Sequence, residues 1–165
     1  MRTLALLNFC SQIEESSLSQ LVQSTPWIVP TVQTLHILGI AALLSSVLMI
    51  NLRLLGITAK DQSLVAVNAS FSVVIRLVLP FLLVTGMIMI SGEPARSLAN
   101  SVFQIKMLLL LTSIIVMWAV HRSLKFDPVY WERSTYRKWA AKLVAMMSLG
   151  LWVGIVCAGR WIAYT

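Results

Sequence analysis

Four long apolar stretches, separated by short polar segments, dominate the pattern of this chain. They run from Trp27 to Leu52, Ala66 to Ile90, Val102 to His121 and Trp139 to Tyr164. A bilayer core of about 30 Å requires roughly 20 helical residues at 1.5 Å each, and every stretch meets that length. The pattern therefore predicts an all-α integral membrane protein, a bundle of four transmembrane helices in a single domain over residues 1–165.

The segment before the first stretch, residues 11–25, has a different pattern. Ile13, Leu18, Leu21 and Val22 recur at near-helical spacing among Ser, Gln and Glu residues. This spacing places the apolar side chains on one face of a helix. We expect a short helix there that lies in the membrane interface.

Composition agrees with a membrane protein and changes how the net charge is interpreted. The chain is 58% hydrophobic and 12% charged, with a formal net charge of +7, whereas soluble domains carry about 25% charged residues. The basic residues lie between the apolar stretches, and no basic face with interleaved aromatic residues exists outside them. The positive charge is therefore explained by the orientation of the loops at the membrane and by contact with anionic lipid headgroups. It is not interpreted as a sign of nucleic acid binding.

The distribution of Lys and Arg predicts the orientation of the bundle. The first and third connections face the same side and hold most of these residues, while the other side holds Arg2, Arg96 and Arg160. Because positively charged loops stay in the cytoplasm, we expect both termini on the periplasmic side. The residues of the basic side are Arg53, Lys60, Arg122, Lys125, Arg133, Arg137, Lys138 and Lys142.

Ionisable residues inside a membrane span cost free energy and are therefore candidate functional residues. His36 in the first stretch is the strongest of these candidates. Gln33 precedes it by three residues and Gly39 follows by three, so all three lie close to one helix face. That face offers a ligand, an amide and a gap beside Gly39 for a flat group. His36 is thus a candidate haem ligand, metal ligand or quinone-binding residue. The alternative is a histidine that is hydrogen-bonded across the bundle to a neighbouring helix.

Three cations extend this candidate site. Arg76 lies near the middle of the second stretch and is a candidate to pair with a cofactor carboxylate or a backbone carbonyl. The alternative is that its side chain extends to the membrane surface, although the distance from mid-span is long. Lys106 and Arg160 lie near the outer ends of the third and fourth stretches. They are candidates for anchoring haem propionates or another anionic group, or they simply extend to the membrane surface.

The positions of the two histidines limit a haem interpretation. His36 lies near the outer face, whereas His121 lies at the opposite end of its stretch beside Arg122. The separation is roughly 18 Å along the helix axis. One haem therefore requires a five-coordinate iron, a second ligand such as Met, or a ligand from a partner chain, unless there are two separate sites.

Catalytic motifs give little basis for an enzyme. The sequence has no Ser-His-Asp set, glycine-rich phosphate loop or HExxH motif, and its six acidic residues lie outside the apolar stretches. We therefore expect no catalytic activity from the chain on its own. The lack of a carboxylate inside a span also disfavours a carboxylate-based proton pump.

Two segments, Trp27 to Gly56 and Trp139 to Tyr164, carry a family resemblance. The first contains LHILG and LRLLG, and the second ends in GRWIAY. Together they resemble an uncharacterised family of small bacterial four-helix membrane proteins, which is distantly similar to copper-resistance D-type membrane proteins and to b-type membrane cytochromes. The third stretch, FQIKML, is similar to the lysine-bearing helix of the copper-resistance group. The resemblance implies the bacterial inner membrane and places His36, Arg53, Lys106 and Arg160 among the family's recurring polar positions.

The leading functional hypothesis is a membrane subunit of a redox or respiratory assembly that contacts haem b or a quinone near the outer face. The expected partners are the lipid bilayer and other membrane subunits or further copies of the chain. One alternative is a cofactor-free structural or accessory subunit, whose polar residues tie helices or partner chains together. Another is a small transporter for copper or an organic solute.

Overall fold

The computed structural model describes residues 11–59, 61–92, 94, 98 and 100–161. Arg2, Lys60 and Arg96, which enter the orientation argument, lie outside this part of the chain, as do the last residues of the predicted fourth stretch. The helices of eight residues or more in the described part are α1 Ser17–Ser24, α2 Ile28–Leu54, α3 Leu64–Gly92, α4 Ser101–Phe126 and α5 Thr135–Trp161.

The four helices α2 to α5 are long and apolar enough to cross a membrane. They correspond in order to the four apolar stretches, which confirms the predicted helical class and the number of candidate spans. The bounds of α2 and α3 differ from the predicted ones by one or two residues.

The last two helices extend further than the apolar pattern predicted. Helix α4 continues past His121 to Phe126, and α5 begins at Thr135 rather than Trp139, so the third connection is limited to residues 127–134. Charged residues form these helix ends because Lys and Arg are good helix formers whose stems cover apolar surface while their charged groups reach water. The Arg122 guanidinium, for example, lies 4.7 Å from the centre of the Phe126 ring.

Helix α1 is present where the polar segment predicted a short helix, and it docks on the end of α3. The Ser19 hydroxyl donates a hydrogen bond to the carbonyl of Ser91 at 2.7 Å, and the Gln23 amide donates to the carbonyl of Gly92 at 3.2 Å. Leu18 on the outer side is 70% exposed. An exposed apolar side chain beside a membrane-type helix suits an interfacial helix, and that location stays a prediction.

Helix α2 is the centre of the bundle. It packs along α3 and also against α5, while α4 packs along α5 and makes only limited contact with α3. We call the end that holds residues 55–59, 61–63 and 127–134 the basic end, and the other end the distal end. The core cluster near the basic end draws on all four long helices and consists of Ile50, Leu54, Leu64, Val120, Leu124, Ala141 and Ala145.

Packing thins towards the distal end. A second core cluster is formed by Leu43, Val47, Trp152 and Ile155 of α2 and α5. Within the fully described helices α3 and α4, by contrast, α3 has no buried residue between positions 72 and 85, and α4 has none before position 113. The distal halves of α3 and α4 are therefore less buried within the bundle than their basic halves.

Candidate functional site

The His36 side chain makes a hydrogen bond across the bundle. The ring is half-buried on α2, and its Nδ1 lies 2.7 Å from Oγ1 of Thr85, a buried residue of α3. The Thr85 hydroxyl also donates to the carbonyl of Phe81 at 2.9 Å. Since a hydroxyl has a single hydrogen, this arrangement favours a proton on His36 Nδ1 and leaves Nε2 unprotonated. Within the described part of the chain, Nε2 has no hydrogen-bond partner.

The space around the ring differs from the prediction. A Cβ atom added to Gly86 of α3 would lie 3.6 Å from Cε1 of His36, so the ring packs against a bare stretch of backbone. A Cβ atom added to Gly39 would lie only 2.8 Å from Cδ2 of Leu82. The predicted gap beside Gly39 is therefore filled by α3, because the glycine permits close packing of the two helices.

Lys106 of α4 lies in the same part of the bundle. It is half-buried, its charge is close enough to act on His36, and its Nζ would lie 3.7 Å from a Cβ added to Gly159 of α5. His36 and Lys106 lie at comparable depths, about 12 and 8 Å from the distal ends of their helices. We call His36, Thr85, Gly86, Lys106 and Gly159 the distal cluster. Its members come from all four long helices.

Two predicted site residues lie outside the distal cluster. Gln33 is exposed, because a residue three positions before His36 is turned by about 60° from the side that α3 covers. Arg76 is also exposed, and its Nε donates to the carbonyl of Ser72 at 3.3 Å. Arg76 and Thr85 are nine residues apart on α3, which is about two and a half turns, so they point to opposite sides of the helix.

Arg160 lies at the edge of the distal cluster. It follows Gly159 directly near the end of α5, and its side chain is exposed. The structure thus places Arg160 at the rim of the site predicted for it, with the charged group outside the packed interior.

Two further hydrogen bonds between helices were not predicted from the sequence. The buried Asn51 of α2 donates to the Ser148 hydroxyl of α5 at 3.1 Å. The Asn68 amide of α3 lies 2.9 Å from Nδ1 of His121 on α4. The available signal was an Asn inside an apolar stretch, since such a residue needs a partner in lipid. These contacts make the basic half of the bundle the more tightly connected half.

The two histidines are far apart, as their positions in the sequence predicted. Their hydrogen-bond partners on α3, Thr85 and Asn68, are 17 residues apart, or about 25 Å along a helix. Among the described residues, no group of three or more His, Cys, Asp or Glu side chains converges.

Two buried polar groups in the middle of the bundle have no hydrogen-bond partner among the described residues. They are Oγ of Ser113 on α4 and Nε1 of Trp152 on α5. Ser113 lies seven residues after Lys106 and hence on the same face of α4, about two turns deeper. Buried groups of this kind are normally satisfied by an ordered water or by a bound molecule.

The fold defines a small all-helical bundle of the membrane-spanning type, with one polar cluster near each end. Residues 10–165 match the model of a family of unknown function, DUF6644, and the chain belongs to this family. This match confirms the expected membership of an uncharacterised family. No curated protein and no solved structure matches the chain. The similarity to copper-resistance D-type proteins and b-type cytochromes stays a prediction.

Proposed function

We propose that the chain is a membrane subunit of a redox or respiratory assembly and that the distal cluster contacts the headgroup of a quinone. The observation that supports this proposal best is the hydrogen bond from His36 Nδ1 to the Thr85 hydroxyl. The bond fixes the ring and directs an unprotonated Nε2 away from Thr85. A lone pair held in an apolar setting is a strong acceptor for a ligand hydroxyl.

The two polar groups of the cluster match the two redox states of a quinone. The Lys106 ammonium can donate a hydrogen bond to a quinone carbonyl, and Nε2 of His36 can accept one from a quinol hydroxyl. Gly86 and Gly159 lack side chains where these two residues face the backbone. The limited contact between α3 and α4 is compatible with lateral entry of a lipid-soluble quinone from the bilayer.

The second candidate ligand is haem b, with His36 as one axial ligand. Histidines that ligate metals usually donate their other ring N–H to a neighbouring group, as His36 does to Thr85. Lys106 and Arg160 would then face the propionates. The second axial position would need a methionine, a partner chain or no ligand, because His121 is bonded to Asn68 near the basic end.

A cofactor-free accessory subunit is the third candidate. The bonds Asn51–Ser148 and Asn68–His121 tie helices together, and His36–Thr85 has the same form. In this case the distal cluster stabilises the bundle and has no ligand. A small copper or solute transporter remains a further alternative, for which uptake would depend on His36.

Quinone binding tests the leading proposal directly. Decylubiquinone titrated into the detergent-purified chain is expected to quench tryptophan fluorescence saturably. Loss of one strong hydrogen bond corresponds to roughly tenfold weaker binding, so His36→Gln is expected to bind about tenfold more weakly than wild type. His121→Gln is the matched control, because His121 also bonds to a side chain of α3 but lies near the basic end. Its quinone binding is expected to equal that of wild type.

The same samples separate the alternatives. Haem bands in a reduced-minus-oxidised spectrum that disappear in His36→Ala would favour haem over quinone. Equal quinone binding by wild type and His36→Gln would reject the distal cluster as the quinone site. A colourless chain without quinone binding that co-purifies at fixed stoichiometry with a membrane complex would indicate an accessory subunit.

A further inference from the structure

A pocket of about 300 Å³ opens at the basic end, far from the distal cluster. Three cations from two helices line it, namely Arg53 of α2 and Lys138 and Lys142 of α5. Apolar residues form another part of the same lining, and Leu55 and Trp131 are the partly exposed ones among them. The pocket thus combines a concentration of positive charge with a hydrocarbon wall.

The Arg53 guanidinium is held in place at this pocket. Its Nε and Nη2 both donate to the carbonyl of Gln62, at 3.0 and 2.8 Å, and Nη2 lies 3.4 Å from the Glu132 carboxylate. Its side chain is only 14% exposed. Glu132 is the single carboxylate in the lining, so the three cations leave the pocket with a net positive charge.

The two lysines stand on one side of α5. They are four residues apart, and positions with this spacing are neighbours on a helix surface. Both side chains are exposed, and Nζ of Lys142 lies 5.4 Å from the centre of the Trp139 ring. Cations beside a tryptophan near the start of a membrane-type helix occupy the depth of lipid headgroups.

The apolar wall decides between two sources of a phosphate group. A free phosphate ion would be attracted by the cations and would make no use of Leu55 or Trp131. A phospholipid would place its phosphate between the cations and its acyl chains along those residues. We propose that this pocket binds an anionic phospholipid, whose phosphate is held by Arg53, Lys138 and Lys142.

Native mass spectrometry of the full chain tests this proposal, with phosphatidylglycerol and phosphatidylcholine as competing probes. Wild type is expected to retain phosphatidylglycerol in preference. Each basic residue near a membrane surface contributes about 1 kcal/mol of attraction, so the double variant Lys138→Gln, Lys142→Gln is expected to lose roughly thirtyfold in apparent affinity.

The control is the double variant Arg122→Gln, Lys125→Gln, which removes two charges from α4 at the same end without altering the pocket lining. It is expected to keep the wild-type affinity. An equal loss of affinity in both double variants would show that net charge alone explains the effect. It would overturn the proposal that the pocket is the lipid site. Displacement of the lipid by millimolar inorganic phosphate or glycerol 3-phosphate would identify a site for a free anion and also overturn the proposal.

Discussion

Polar side chains within the long helices bond in two different ways. Ser46 and Thr112 donate to carbonyls four residues earlier in their own helices, each at 2.9 Å. His36 and Asn51 instead bond to side chains of other helices. The first kind satisfies a hydroxyl locally, as lipid requires. The second kind also fixes which helix faces meet, and it is therefore the kind on which the proposed site depends.

Thr85 is expected to position the His36 ring, which gives a prediction for a single residue. The variant Thr85→Val keeps the side-chain shape and removes the acceptor for Nδ1. We expect the free energy of unfolding in detergent to fall by about 1–2 kcal/mol, because a half-buried ring nitrogen loses its partner. Reversible unfolding in a denaturing detergent measures this change.

Thr112→Val is the matched control for this measurement. The Thr112 hydroxyl is exposed and bonds only to the carbonyl of Leu108 in its own helix. Its loss is expected to change stability by less than about 0.5 kcal/mol. If the two valine variants lose the same stability, the hydrogen bond between the helices does not hold the ring in place.

At the scale of helices, the contact of α2 with α5 is the one that a polar pair reinforces most clearly. Asn51 is 1% exposed, and its amide bonds both to the carbonyl of Val47 and to the hydroxyl of Ser148. Apolar helices have little hydrophobic reason to associate in lipid, so packing and such bonds decide their register. A buried amide that contacts a second helix therefore specifies one alignment of the pair.

A double-mutant cycle on Asn51→Ala and Ser148→Ala measures this coupling. Hydrogen bonds between transmembrane helices average about 0.6 kcal/mol and reach about 1.7 kcal/mol, so we expect a coupling energy within that range. The readout is the free energy of unfolding of the four species in the cycle. Additive effects of the two substitutions would show that the observed bond contributes no specific stability.

A second cycle, on Asn51→Ala and Ser113→Ala, is the control for that measurement. The Ser113 hydroxyl is buried without a partner in the described part of the chain. Its substitution is expected to combine additively with Asn51→Ala, because the two side chains share no hydrogen bond.

The whole molecule is polarised along its long axis. Tight packing, two ties between helices and the basic residues lie at one end, and the distal cluster with its more open packing lies at the other. Because positively charged loops tend to stay in the cytoplasm, we predict that the basic end lies on the cytoplasmic side of the membrane. The distal cluster would then lie in the outer half of the bilayer, where the proposed assembly would exchange electrons with the periplasmic side.

Cysteine labelling tests this orientation. In a chain whose own Cys10 and Cys157 are replaced, Asp61→Cys and Ser134→Cys are expected to react with an impermeant maleimide only after the cells are opened. Ser101→Cys is expected to react in intact cells, because it lies at the distal end. The reverse pattern would show that the bundle has the opposite orientation in the membrane. Labelling of Asp61→Cys and Ser134→Cys from opposite sides would contradict the fold itself.

Much of the architecture was predictable from the sequence. The apolar stretches located the four long helices because a run of about 20 apolar residues has few stable alternatives to a helix in lipid. The ends of α4 and α5 were predicted less well, since charged residues continue a helix after the apolar pattern has stopped. His36 and Lys106 were found as site candidates because ionisable residues are rare in such stretches.

The sequence by itself determined the helical class, the number of candidate spans, the location of the charges and the rare polar residues within the spans. Each of these depends on the composition of a local segment. Only the tertiary structure decided that His36 meets Thr85, that Lys106 packs against Gly159, and that Gln33 and Arg76 are exposed. It also decided that a pocket with basic and apolar lining residues exists at the basic end. These facts depend on the rotation and register of one helix against another, which many weak contacts between distant segments fix together.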